Sequence, residues 1–150
     1  MARLDGLRYL NVTHNRLAEL PEWLGALRGL RELRVYNNQL ARLPDTLEQL
    51  ECLIELYARD NRIETLPPLT GLRCLELLDL RNNRLRTWPT DCSALPGLHT
   101  LDLRANRLHR IPSACAGFNV LRKLDLRWNK LVTQPPWLED LIDRGCVVLE

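Results

Sequence analysis

Leucine and other aliphatic residues recur along this chain in a pattern that repeats six times. Each copy reads Leu-x-x-Leu-x-Leu (or Val or Ala)-x-x-Asn, and the copies begin at Leu7, Leu30, Leu53, Leu75, Leu98 and Leu121. The starts are separated by 23, 23, 22, 23 and 23 residues. A fixed period of about 20–50 residues indicates a solenoid in which each repeat is one structural unit.

The centre of each copy alternates between apolar and polar residues, as in Thr100-Leu101-Asp102-Leu103-Arg104. A period of two predicts a short β-strand, here with Leu101 and Leu103 facing a core and the other three side chains facing outward. One such strand cannot bury its apolar side alone. We therefore expect the strands to stack ~4.8 Å apart in one parallel sheet. The asparagine that closes each copy is expected to satisfy buried backbone groups where the chain turns inward.

A second motif, Leu-x-x-Leu-Pro or a close variant, follows each predicted strand. It ends at Pro21, Pro44, Pro67, Pro89, Pro112 and Pro135. Because proline favours the start of a helix, short helical or 3₁₀ turns are expected on the side opposite the sheet. The third copy is one residue shorter around Pro67-Pro68, which should change that side and leave the strand register intact. Trp23, Trp88 and Trp137 fall in these segments and are expected to pack inward.

The complete unit, LxxLxLxxNxLxxLPxxLxxLxx, resembles the leucine-rich repeat family over essentially the whole chain. It is most similar to the 23-residue intracellular subtype known in Ras-pathway scaffold proteins and many bacterial proteins. The resemblance implies an α/β solenoid with a parallel concave β-sheet and short helical or 3₁₀ convex segments. One domain is expected over residues 1–150, with repeats that start near 7, 30, 53, 75, 98 and 121.

The two ends of the chain depart from the repeat. We expect a helix from Trp137 to Arg144 that stops at Gly145, then an edge strand over 146–149, so that 136–150 form a C-terminal cap. At the other end the chain begins inside a repeat, and the first strand, 9–13, carries no charge and leaves an open edge. Missing upstream repeats are favoured as the explanation, and self-association through this edge is the alternative.

Composition and charge narrow the classes of function. The 150 residues include 35 leucines, and a net charge of +2 gives no overall electrostatic basis for binding nucleic acid or a membrane. No apolar run approaches transmembrane length, and the N-terminus lacks a signal-peptide stretch. Five cysteines without a CxxC pair argue against a disulfide framework or a zinc site. We expect no cofactor and no metal, and a reducing, cytoplasmic location.

Residues that could support catalysis are scattered. The three histidines occupy different columns of the repeat, with no acid–base partner at a telling spacing: His14, His99 and His109. Cys92 and Cys115 occupy apolar repeat positions, so we expect them in the core rather than acting as nucleophiles. Cys52 and Cys74 each precede a repeat's first leucine and should be near neighbours, which would permit accidental oxidation. We therefore predict that the chain is not an enzyme.

The resemblance implies that outward strand residues line a concave binding surface. One column of that surface stacks four arginines: Arg59, Arg81, Arg104 and Arg127. Asp79, Asp102 and Asp125 each lie two residues before an arginine on the same face, and the four outward columns hold six basic and six acidic residues. A self-neutralised, solvated lattice is therefore favoured over a phosphate or nucleic-acid groove, which would show steeply salt-dependent binding.

Outward aromatic residues indicate a candidate site. Tyr9, Tyr36 and Tyr57 converge on the N-terminal half of the face beside two arginines, and one tryptophan lies at the other end. Tyrosine, tryptophan and arginine are enriched in interface hot spots, although packing on neighbouring strands is an alternative role. The predicted protein-binding residues are Tyr9, Arg34, Tyr36, Tyr57, Arg59, Arg81, Arg104, Arg127 and Trp128.

These observations together predict a non-enzymatic protein–protein interaction module that binds a partner of unknown identity on its concave face. The alternative is the recognition domain of a larger bacterial effector or signalling protein whose catalytic part is absent. In the effector case the protein would be delivered into a host cell.

Overall fold

Short parallel strands form one continuous sheet. The computed structural model describes residues 6–88, 95–113 and 117–150. Within these residues the strands are β1 (Tyr9–Asn11), β2 (Glu32–Arg34), β3 (Glu55–Tyr57), β4 (Leu77–Asp79), β5 (Thr100–Asp102), β6 (Lys123–Asp125) and β7 (Val147–Leu149). Their order in the sheet is their order in the chain. This is the arrangement of a solenoid, in which each repeat contacts its neighbours.

Equivalent residues of successive repeats pair directly across the sheet. Leu33 pairs with Leu56, Leu56 with Leu78, and Leu78 with Leu101. The shortened third repeat does not shift this register, because the pairing of Leu56 with Leu78 has no offset. Since strand side chains alternate between two faces, the pairing places the central leucines in the core and their neighbours on the outward face. The predicted sheet and register are confirmed.

The strands are shorter than the alternating pattern predicts. Residues 100–104 alternate over five positions, whereas β5 covers three. Hydrogen bonding between repeats nevertheless continues beyond the strand: the Leu103 N–H donates to the Asp125 carbonyl at 2.9 Å, and the Ala105 N–H donates to the Arg127 carbonyl at 2.8 Å. The outward columns are therefore held in register for two residues past the end of each strand.

The residue before each repeat's asparagine has a left-handed backbone. The six φ angles lie between 53° and 59°, at His14, Asn37, Asp60, Asn82, Ala105 and Trp128. Asn and Asp tolerate this conformation better than other L-residues. The turn directs the chain inward, so the asparagine that follows reaches the core.

The asparagines satisfy backbone groups of two successive repeats, as predicted. Nδ2 of Asn61 donates to the Val35 and Ala58 carbonyls, both at 3.1 Å, and its Oδ1 accepts from the Leu40 N–H at 3.1 Å. Equivalent bonds recur at Asn83 and in the following repeat. Because an unpaired buried polar group costs about 1–3 kcal/mol, this asparagine ladder stabilises every inward turn.

Leucines form continuous buried rows beneath the sheet. Four of the first leucines are fully buried: Leu30, Leu53, Leu75 and Leu98. Burying one such side chain contributes roughly 1.5–3 kcal/mol. Trp88 and Trp137 are also buried, as expected. The expectation for Trp23 is wrong, since this side chain is 60% exposed because Leu24 occupies the core position of the same 3₁₀ helix.

The convex side carries 3₁₀ helices in the first two repeats, Glu22–Ala26 and Asp45–Gln49. In the shortened third repeat a turn at residues 70–71 takes their place. Gly71 approaches the preceding repeat so closely that a Cβ there would lie 1.8 Å from the Glu48 carbonyl oxygen. The shortened repeat therefore differs on the convex side and leaves the register of the sheet intact, as predicted.

The predicted cap forms at the C-terminal end. Helix α1 (Trp137–Asp143) is followed by Gly145 with a φ of 88°, which glycine adopts without strain. The chain then enters β7, where Val148 pairs with Leu124 of β6. The helix ends one residue earlier and the strand begins one residue later than predicted. The core positions predicted for Cys92 and Cys115, like the proline at position 89, lie outside the described residues.

Candidate protein-binding surface on the concave face

The N-terminal half of the concave face holds tyrosines and arginines in contact. We call Tyr9, Arg34, Tyr36, Tyr57 and Arg59 the tyrosine–arginine cluster. The Cζ atom of Arg34 lies 5.5 Å from the ring centre of Tyr9 and 5.2 Å from that of Tyr57. A guanidinium within about 6 Å of an aromatic face is attracted to it. One arginine therefore joins two tyrosines that come from different repeats.

A second stack lies beside the first. The Cζ atom of Arg59 is 4.3 Å from the ring centre of Tyr36, and the ring of His14 meets Tyr36 edge-on with the centres 5.4 Å apart. The carboxylates nearest to Nε of Arg59 belong to Asp60 and Asp79, both at 3.9 Å. Among the described residues, Nε of Arg59 finds no hydrogen-bond acceptor. The charge of Arg59 is therefore only loosely neutralised.

Carboxylates beside the cluster fix two of its side chains. Nε of Arg34 donates to Glu32 at 2.5 Å, and the Tyr57 hydroxyl donates to Glu55 at 2.8 Å. Burial raises the pKa of Tyr57 to about 12, and the hydrogen bond to Glu55 adds to this effect. Tyr57 is therefore neutral at physiological pH, with its hydroxyl held and its ring against Arg34.

The C-terminal half of the same face is built from alternating charges. We call Asp79, Arg81, Asp102, Arg104, Asp125 and Arg127 the aspartate–arginine ladder. Arg81 lies 3.4 Å from Asp79 in its own repeat and 4.0 Å from Asp102 in the next. Arg104 repeats the arrangement, at 3.3 Å from Asp102 and 4.0 Å from Asp125. Each of these arginines is thus shared between two carboxylates.

Two aspartates of the ladder are buried, which corrects the expectation of a solvated lattice. The Asp125 side chain is 1% exposed and accepts hydrogen bonds from Nε and Nη2 of Arg127, at 3.0 and 2.6 Å. Burial alone would raise the pKa of Asp125, but the Arg127 side-chain and backbone hydrogen bonds outweigh it and hold this pKa below its usual value. At Asp79 burial dominates and raises the pKa, although Arg81 opposes it.

The structure groups only part of the predicted site. It brings Tyr9, Arg34 and Tyr57 into one stack, and Tyr36 and Arg59 into another, as the columns suggest. The other three arginines, Arg81, Arg104 and Arg127, lie in the ladder.

Trp128 lies at the far end of the face, next to the last arginine of the ladder. It is 71% exposed, contacts Arg127 at 5.7 Å, and borders a shallow depression of about 240 Å³ next to Val132. Sequence reasoning missed this depression and the burial of the aspartates. The recurring Asp-x-Arg spacing indicated that aspartates pair with arginines. It gave no information on how deeply the aspartates are buried.

Groups for other chemistry are sparse in the described part of the chain. No three histidine, cysteine or acidic side chains come together there in a way that could hold a metal ion. None of the helices described here combines the length and the apolar content needed to cross a membrane. The concave face thus combines aromatic surface with arginines that each lie within 4.0 Å of a carboxylate.

Comparison with known proteins identifies the family. The family model described as "Leucine rich repeat" matches residues 5–63 and 73–131, together well over half of the chain. The chain belongs to the leucine-rich repeat family. The interval between the two matched stretches, 64–72, contains the shortened convex segment. Leucine-rich repeat domains commonly act as protein–protein interaction modules and are generally not catalytic.

Several solved leucine-rich repeat structures are similar. A leucine-rich repeat protein of Leptospira interrogans is 33% identical with a TM-score of 0.87, over 96% of this chain and 37% of that protein. The ectodomain of the Arabidopsis thaliana receptor kinase GASSHO1/SCHENGEN3, in complex with CASPARIAN STRIP INTEGRITY FACTOR 2, is 33% identical with a TM-score of 0.76, over 83% of this chain and 16% of that one. The plant peptide hormone receptor RGFR1 in complex with RGF2 is 30% identical with a TM-score of 0.75, over 83% and 21%.

This leucine-rich repeat chain spans well under half the length of each of these proteins. No curated protein matches it significantly. Because a receptor ectodomain is among the similar structures, the intracellular subtype stays a prediction.

Proposed function

We propose that this domain binds a protein or peptide partner on its concave face, with the tyrosine–arginine cluster at the centre of the contact. The observation that carries the proposal is the mutual ordering of three tyrosines and two arginines on the open face of a rigid sheet. Tyrosine and arginine are the residue types that most often dominate binding energy at interfaces.

Ordering before binding reduces the cost of association. Immobilising a flexible side chain at an interface costs about 0.5–1.5 kcal/mol. In the cluster, the ring contacts of Arg34 and the hydrogen bond from Tyr57 to Glu55 already restrict these side chains. Tyr9 remains 44% exposed, so apolar ring surface is still available to a partner.

Charge adds a second element of recognition. Arg59 lies 3.9 Å from its nearest carboxylates, outside hydrogen-bond distance. We infer that an acidic side chain or a terminal carboxylate of the partner completes its pairing. The ladder arginines Arg81, Arg104 and Arg127 already have carboxylate partners, so they and Trp128 would form a rim that contributes less affinity.

Similar structures support an interaction role. Two of the receptors with 30% or greater identity were solved in complex with CASPARIAN STRIP INTEGRITY FACTOR 2 and with RGF2. From these two complexes we infer only that the same architecture in this chain binds a protein or a peptide.

Selection from a displayed library of random linear peptides, together with affinity capture from lysate of the source cell, tests this function. Wild-type protein is compared with a Tyr36→Ala/Tyr57→Ala variant and with a matched Arg81→Ala/Arg104→Ala variant. Losing two hot-spot side chains should weaken binding of the selected peptides at least tenfold, at about 1.4 kcal/mol per tenfold. The arginine variant should change it less than threefold.

Folding and specificity are checked in the same experiment. The thermal unfolding of both variants should remain cooperative. Equal binding by wild-type protein and the tyrosine variant would remove the cluster from the site. Binding that falls steeply with salt and requires the ladder arginines would instead favour the phosphate or nucleic-acid groove.

We also propose, as the alternative context, that the domain is the recognition part of a larger bacterial effector or signalling protein. The likeness to a Leptospira protein, of which this chain spans 37%, supports this alternative. Reading the coding sequence on both sides of this chain tests it, and a catalytic domain in the same reading frame is the expected result. The cytoplasmic location remains part of the main proposal.

Self-association through the edge of β1 is a separate proposal. The edge strand Tyr9–Asn11 carries no charge that would discourage pairing with another strand. Sedimentation over a wide range of concentrations tests it. A mass that stays monomeric at every concentration would contradict it.

A further inference from the structure

One column at the edge of the sheet differs from the leucine pattern around it. It consists of the residue before each repeat's first leucine, which is Gly6, Gly29, Cys52, Cys74, Gly97 and Val120. The only two thiols in this column are therefore in adjacent repeats, with a glycine on either side. This arrangement is independent of the tyrosine–arginine cluster.

The two cysteines occupy the same place in the same backbone turn. In one repeat the Leu53 N–H donates to the Leu50 carbonyl at 2.9 Å, and in the next the Leu75 N–H donates to the Leu72 carbonyl at 3.2 Å. Each cysteine is the residue immediately before the donor. The two cysteines therefore occupy equivalent backbone positions in adjacent repeats.

Hydrogen bonds between these repeats begin two residues further on. The Glu76 N–H donates to the Ile54 carbonyl at 2.8 Å, and Glu55 then pairs with Leu77 without offset. Adjacent strands lie ~4.8 Å apart, and a disulfide joins Cα atoms about 4.4–6.8 Å apart. The spacing of the strands that follow these turns thus lies within the Cα range of a disulfide, and the two Cβ atoms must approach each other to about 3.5–4.5 Å for the bond to form.

Both thiols are accessible to reagents. Cys52 and Cys74 are exposed, and the glycines next to them in the column, Gly29 and Gly97, have no side chain that could cover them. Cys146 provides the contrast within the described residues, because it is 5% exposed and burial raises the pKa of its thiol.

We propose that Cys52 and Cys74 form a dithiol–disulfide pair that links adjacent repeats of the solenoid. The oxidant is a low-molecular-weight disulfide, such as oxidised glutathione. One cysteine thiolate attacks a sulfur of the reagent and releases one thiolate, leaving a mixed disulfide. The second cysteine thiolate then attacks the cysteine sulfur of the mixed disulfide and releases the remaining half of the reagent as a thiolate. The protein loses two electrons and two protons, and the reagent becomes two thiols.

Oxidation would close one complete turn of the solenoid. The bond would join positions 22 residues apart, across the pairing of β3 with β4. Such a link restricts the unfolded chain. If the folded protein holds the thiols in position, the oxidised form is more stable than the reduced one.

Equilibration of the full chain with oxidised and reduced glutathione tests the pair. Samples are prepared in native buffer and in concentrated guanidinium chloride, quenched with iodoacetamide and mapped by peptide mass spectrometry. We expect the Cys52–Cys74 linked peptide to dominate in the folded protein. Its equilibrium constant should be at least tenfold larger than in denaturant, which corresponds to about 1.4 kcal/mol of added stability.

Matched variants control for nonspecific oxidation. Cys52→Ser and Cys74→Ser each leave one thiol of the column, which should end as free thiol or as a mixed disulfide with glutathione. The midpoint of thermal unfolding should rise on oxidation of the wild type and stay the same in both variants. An equilibrium constant no larger in the native protein than in denaturant, or mixed disulfides at both cysteines, would overturn the proposal.

Discussion

The two halves of the concave face have the same backbone and different side-chain chemistry. In the N-terminal half, arginines stack on tyrosines at 4.3 to 5.5 Å. In the C-terminal half, arginines pair with aspartates at 2.6 to 4.0 Å. The register is the same in both, with Arg34 opposite Tyr57 in one and Asp102 opposite Asp125 in the other.

Under the proposed function, this difference separates folding from recognition on one scaffold. An aromatic ring under a cation keeps apolar surface that a partner can cover. The arginines of this half also have carboxylates nearby, because Arg34 is hydrogen-bonded to Glu32 at 2.5 Å and Arg59 lies 3.9 Å from its two nearest carboxylates. An arginine shared between two carboxylates has little net charge to offer, because a new partner must displace those it already has. The two halves therefore differ in exposed aromatic surface more than in the pairing of their arginines, and we propose the N-terminal half as the binding half.

The largest loss of unfolding free energy that we expect comes from substitutions in the asparagine ladder, the asparagines that close each repeat. Both halves contain these residues. Asn61→Ala and Asn106→Ala each remove one acceptor and the donors to at least two buried carbonyls. At about 1–3 kcal/mol per unpaired group, each variant should lose about 3 kcal/mol of unfolding free energy. Urea unfolding of both proteins measures the two losses.

Equal losses are the critical outcome. If the halves differ only in outward chemistry, the two values should agree within about 1 kcal/mol, because the hydrogen bonds are equivalent. A much smaller loss at Asn106 than at Asn61 would mean that the halves also differ in the rigidity of their backbone. Side-chain chemistry alone would then not account for the difference between the two halves.

The next largest loss of stability is expected from substituting the buried carboxylates of the ladder. These carboxylates lie in the C-terminal half. Asp125→Asn keeps the shape of the side chain but removes the charge that accepts two hydrogen bonds from Arg127. Hydrogen bonds to charged groups contribute about 1.5–3 kcal/mol, so we expect a loss of about 2 kcal/mol at pH 7. Asp79→Asn should cost less, because burial of Asp79 already opposes its charge.

The two aspartate variants should respond to pH in opposite directions. The pKa of Asp125 is lowered by folding, so its stabilising contribution is present above the unfolded value of about 3.9 and is lost as pH falls through the folded value. The pKa of Asp79 is raised by folding, so the stability of the folded protein falls as pH rises above the unfolded value and levels off above the folded value. Urea unfolding at pH 3 and pH 7 separates them, and parallel pH profiles would contradict the assignment.

Much of the fold follows from the sequence because it depends on position within the repeat. Leu56 and Leu78 occupy the same motif position, and a stacked sheet leaves them no other register. The cap was also predictable, since Gly145 ends a helix in a way that sequence alone signals. The contact of Arg34 with Tyr57 followed from the columns, because the two residues are neighbours in one column, whereas its contact with Tyr9 crosses to the next column.

The burial of individual side chains and the positions of left-handed backbone could not be predicted in this way. Asp125 and Asp102 have the same motif position, yet the Asp125 side chain is 1% exposed and that of Asp102 is 14% exposed. Their surroundings, not their own sequence context, make this difference. The left-handed residue was hidden because the motif leaves its identity free: Asp60 suits the conformation, whereas Ala105 does not.

Substitutions at the left-handed position before each repeat's asparagine give the smallest predicted change in stability. This position is also the last point on which we compare the halves. Its occupants are His14, Asn37 and Asp60 toward the N-terminus, and Asn82, Ala105 and Trp128 toward the C-terminus, where only Asn82 suits the conformation. Left-handed backbone costs an ordinary L-residue about 1–2 kcal/mol, and asparagine tolerates it best.

Ala105→Asn should therefore stabilise the protein by about 1 kcal/mol and raise Tm by about 2–4 °C. The reciprocal change, Asn82→Ala, should lower Tm, because it adds this strain and removes the 2.7 Å hydrogen bond to Asp60. Differential scanning calorimetry of both variants measures the pair. A fall in Tm for Ala105→Asn would mean that packing around this column, rather than backbone conformation, limits the stability of the C-terminal half.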